Sequence, residues 1–63
     1  MSNKLVRNII ILVGELQRAG KIGKEDADQL RSAADTLGHS LATKDVKRIS
    51  RSLSAISRVI SRI

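Results

Sequence analysis

From Val46 to Ile63 a run of aliphatic residues falls at Val46, Ile49, Leu53, Ile56, Ile60 and Ile63, a spacing of 3, 4, 3, 4, 3. A helix turns about 100° per residue, so this spacing lays one unbroken apolar seam along a helix that packs on a partner helix. The charges of the same stretch are almost all of one sign: Lys44, Lys47, Arg48, Arg51, Arg58 and Arg62 against Asp45 alone. The rest of the chain has to cover the seam and leave the arginines outside.

Two further helices fit that requirement. The first is expected from about 3 to 19, with Ser2 as its N-cap. Leu5, Ile9, Leu12, Leu16 and Ala19 repeat at 4, 3, 4, 3 and form its central stripe, while Val6, Ile10 and Val13 widen the arc to roughly half the circumference. So wide an arc exceeds what a three-helix monomer needs. Val6, Ile10, Ile11 and Val13 are therefore the expected oligomer interface, with Ile11 lying off the arc. Gly14 falls mid-helix, either as a tolerated surface glycine or as a point of close helix approach. Gly20 suits the left-handed position that closes a helix, and Ile22 can staple onto Ala27 across the next helix start.

The second helix is expected over 24–40. Glu25, Asp26 and Asp28 lie in its first turns, where acids meet the positive helix end. Its seam of Ala27, Leu30, Ala34, Leu37 and Leu41 is thin, which favours close packing. Its end is ambiguous, at Gly38 or on as far as Ala42. The third helix is expected over 44–63, with Thr43 as N-cap. The fold class is thus all-α: a single domain over 1–63, a small three-helix bundle completed by dimerisation or higher homo-oligomerisation.

Composition supports self-association. Sixty-three residues build only a small core, which usually needs a disulfide, a metal or a second subunit beside it. There is no cysteine, and a single His39 with scattered carboxylates makes no metal pattern. The five-residue apolar run Ile9–Val13 is too short for a signal peptide or a membrane span, so the expected location is cytoplasmic.

The net charge is +6, and helix 3 carries six of the twelve cations against one acid. An acidic partner follows: nucleic acid, an acidic protein or, less readily, an anionic membrane. Aromatic residues are absent, which disfavours base stacking on single strands and weakens interfacial membrane anchoring. On the helix 3 wheel Arg48, Arg51, Arg58, Arg62 and Lys47 form one stripe, about 150–210° from the seam centre except for Arg48, which lies at about 110°. Arginines on successive turns can present bidentate donors to a phosphate backbone. Ser50, Ser54, Ser57 and Ser61 line a separate flank.

Helices 2 and 3 also invite comparison with a helix-turn-helix. Ala34 and Gly38 have its alanine-to-glycine separation, but the apolar residues that should follow come two positions late, at Val46 and Ile49. No nucleophile stands at helical spacing from a base, and no Gly-rich phosphate loop or cofactor motif occurs. The sequence therefore points to a non-catalytic basic module that binds duplex nucleic acid through Lys44, Lys47, Arg48, Arg51, Arg58 and Arg62. The alternative is a homo-oligomeric assembly or adaptor protein acting through helix 1. A third, weaker expectation is a cationic membrane-active peptide of the bacteriocin kind.

Overall fold

A computed structural model describes residues 4–63 as three helices and no strand: α1 (Lys4–Arg18), α2 (Lys24–Thr43) and α3 (Val46–Ser61). The small all-α three-helix bundle expected from the periodicity is present. The expected Ser2 cap lies outside the described residues. α2 is the middle helix, with α1 and α3 each packed antiparallel along it. Among the described residues no Cα of α1 comes within 8 Å of α3. The molecule measures 34 × 23 × 13 Å, an open slab rather than a closed triangle of helices.

Both junctions close by the same hydrogen-bond pattern. After α1, Gly20 takes φ 72°, its N–H donates to Gln17, and the N–H of Lys21 donates to Leu16. After α2, Lys44 takes φ 56°, its N–H donates to Leu41, and the N–H of Asp45 donates to Ser40. Each is a left-handed residue that satisfies carbonyls a helix end leaves unpaired. Glycine does this without steric cost at position 20, whereas lysine carries a Cβ into it at 44.

These closures move two expected boundaries. α2 neither stops at Gly38 nor ends by Ala42; it continues to Thr43. Thr43 is therefore not the cap of α3, and its hydroxyl instead donates back to His39 and Ser40 carbonyls within α2. Asp45 caps α3, its carboxylate accepting the N–H of Arg48 at 3.2 Å. Gly38 lies inside α2 where α1 runs against it: a Cβ there would stand 2.8 Å from Cγ2 of Val6. The close helix approach is here, not at Gly14, where a Cβ would meet nothing within 4 Å.

The core is built on α2 as its seam implies. Ala27, Leu30, Ala34 and Leu37 are buried, joined by Val13 of α1, by Ile22 from the first junction, and by Ile56 and Val59 of α3. Ile22 and Ala27, the two halves of the expected staple, are both buried.

The outer helices are rotated from the expected setting. On α3 the packed residues are Ser52, Ile56 and Val59, while Val46 is 75% and Leu53 50% exposed. On a helical wheel the face that meets α2 is displaced by about 50° from the seam centre. α1 shows the same shift. Val13 is 1% exposed and Val6 lies on Gly38, while Leu5 and Leu12 of the central stripe face out. In both helices only one shoulder of the seam touches α2. The reason lies in side-chain size: Gly38 on one side of α2 and the buried Ser40 on the other admit close contact with a shoulder.

Candidate nucleic-acid interface

The six expected cations do not share one environment. The rotation of α3 brings the basic stripe to about 120° from the packed face, against the roughly 150–210° implied by the seam, so its inner edge overlooks α2. Arg62 is taken up there: one guanidinium nitrogen stands 3.1 Å from Asp26 Oδ1 and 3.1 Å from Gln29 Oε1. Antiparallel packing makes this contact, since it sets the last turn of α3 beside the first turn of α2. The sequence placed Asp26 only as a first-turn acid. The antiparallel up-down-up arrangement that the similar helix lengths imply already brings these two ends together.

Arg48 is partly neutralised by its own cap residue, with Nε 3.6 Å from Asp45 Oδ2. Lys44 is the exposed left-handed residue of the junction. Lys47, Arg51 and Arg58 are exposed and form no ion pair or hydrogen bond among the described residues. Arg58 borders an open groove between α2 and α3 whose other wall includes Asp28, Gln29 and Ser32. Lys47, Arg51 and Arg58 share one shoulder of α3 and span about 16 Å at 1.5 Å per residue. After Asp45 the helix contains no acid.

The residues expected at an oligomer interface are also divided. Val13 is enclosed in the core, and Val6 is held on Gly38. Ile10 is half-buried beside a groove that also borders Asp35, Gly38 and His39. Ile11, 55% exposed, lies at the same groove. Val6 and Val13 thus serve contacts within the chain, and the large apolar residues of α1 that stay half exposed are Leu5, Ile11 and Leu12.

Among the described residues no cluster of three His, Asp or Glu side chains comes together to hold a metal ion. No described helix is long and apolar enough to cross a membrane. No protein-family model, curated protein or solved structure matches this chain.

Proposed function

We propose that the protein is a non-catalytic module that binds a polyanion, duplex nucleic acid, through the basic shoulder of α3. The observation that carries this reading is the set Lys47, Arg51 and Arg58: three exposed cations on one helix, unpaired among the described residues. Pairing to α2 leaves Arg62 outside the primary set, and Lys44 and Arg48 flank it.

Contacts of this kind go to phosphates and position the protein without reading sequence. Neutralising three phosphates per chain releases counterions, so the logarithm of affinity should fall against the logarithm of salt with a slope near −3 per chain, from about −0.9 per phosphate. A gel-shift titration of a short duplex at two salt concentrations measures that slope. Arg51→Glu with Arg58→Glu should abolish the shift, whereas Arg18→Glu on α1 should leave most of it. Equal affinity of the double variant and the parent overturns the proposal, as does absence of binding at low salt.

A further inference from the structure

The seams of α1 and α3 are the best-ordered patterns in the chain, yet neither is centred on α2. On α1 the arc that points past α2 contains Leu5, Ile9, Leu12 and Leu16, and no charged residue falls in it. On α3 the corresponding arc contains Val46, Ile49, Leu53 and Ile60, again without a charge. Ile9, Leu16 and Ile49 are partly buried against the core, while the other five are about half exposed or more.

Both arcs open on the same side of the slab. The opposite side is fixed by the two grooves that flank α2, one bordered by Arg7 and Ile11 of α1 with Asp35 and His39, the other by Arg58 of α3 with Gln29 and Thr36. By wheel position those residues lie on the other flanks of their helices from the leucine stripes, and the Arg58 side chain is long enough to border the groove of Val46, Ile49 and Leu53 as well. Leu41 of α2, 37% exposed, lies between the two arcs on the α2 wheel.

We propose that this aliphatic face is covered by a second copy of the chain, face to face, in a two-fold dimer. Area supports the choice of occupant. The chain exposes 4743 Å², whereas a compact monomer of 6.9 kDa exposes about 4000 Å². The excess approaches the roughly 800 Å² that each partner contributes to a standard interface. The radius of gyration, 11.5 Å against about 10.6 Å for a compact chain of this length, says the same.

Charge supports it too. A chain of net charge +6 repels its own copy least where the contact surface is poor in cations, and neither arc contains one, although Arg58 borders the groove that Val46, Ile49 and Leu53 line. Its borders are Asn8 on α1 and Ser50 and Ser57 on α3, which can meet their own kind without repulsion. Heptad-spaced residues, Leu5 with Leu12 and Val46 with Leu53 and Ile60, call for facing helices, and a copy supplies them with the same period.

Sedimentation equilibrium without nucleic acid tests this independently of any polyanion binding. The parent should run at twice 6.9 kDa, and its melting temperature should rise with protein concentration. Leu12→Lys and Leu53→Lys each change a half-exposed residue and should give a helical monomer by circular dichroism. Ile11→Lys is the control, equally exposed on the same helix but on the other side of the slab, and should remain a dimer. A monomeric parent with a concentration-independent melting temperature overturns the proposal, as does a mass of three or more chains. So does dissociation by Ile11→Lys with the dimer intact in both leucine variants. Should a leucine variant fail to fold, the concentration dependence of the parent decides.

Discussion

On its α1 side, α2 offers a glycine: the missing side chain at Gly38 lets Val6 sit directly on the helix. On its α3 side it offers Ser40, fully buried, and α3 contributes Ser52, 4% exposed. The two hydroxyls differ. Ser40 donates to the Thr36 carbonyl at 2.7 Å within its own helix, while Ser52 Oγ is buried with no partner among the described residues. Both interfaces carry a polar tether. Gln17 accepts from Arg31 at 3.0 Å across the first interface, and Arg62 reaches Asp26 and Gln29 across the second. Each contact thus has a polar tether; the α1 contact adds a close fit at one glycine, whereas the α3 contact adds small residues from both helices.

The largest effect expected from breaking this contrast is at Gly38. Gly38→Ala gains about 1 kcal/mol of helix propensity, but crowding Val6 should cost more, since overpacking typically costs about 1–3 kcal/mol. Urea titration should show a net loss of about 1 kcal/mol, and adding Val6→Ala should recover part of it. A stabilised single variant would mean that α1 shifts freely on α2.

The opposite sign is expected at Ser52. Ser52→Ala removes a buried, unpartnered hydroxyl and improves helix propensity, for a gain of about 0.5–1 kcal/mol. A loss of stability in the same titration would show that the hydroxyl has a partner in solution.

The smallest effect belongs to Arg62. Its ion pair is partly exposed, so Arg62→Ala should lose no more than about 1 kcal/mol, and high salt should erase the difference. A loss that persists in high salt would assign the effect to packing of the arginine stem.

The fold was legible in the sequence because three amphipathic periods, short connections and the lack of strand signals all agree. Gly20 and Ile22 took the roles their positions suggested. The setting of the outer helices was not legible. A seam gives the centre of an apolar arc, but α2 selects the shoulder that its own small residues admit. Hence Ser52 and Val59 pack where Leu53 and Ile60 were expected. The Lys44 junction was hidden for a different reason, because nothing marks a lysine as left-handed until the hydrogen bonds on both sides of it are known. Of the basic stripe, sequence gave the alignment of the cations on one helix, but not the removal of Arg62 by Asp26.

The absence of close backbone approach between α1 and α3 has a kinetic consequence. Among the described residues every pair of helices with Cα atoms within 8 Å is adjacent in the chain, so the backbone forms two hairpins that share one helix. Such local topology favours rapid folding, on the microsecond to millisecond scale typical of helical proteins with low contact order. It also allows either outer helix to leave α2 while the other remains docked. Opening should therefore be graded, with amide exchange faster at the outer helices than in α2, whose backbone is released only when both have left.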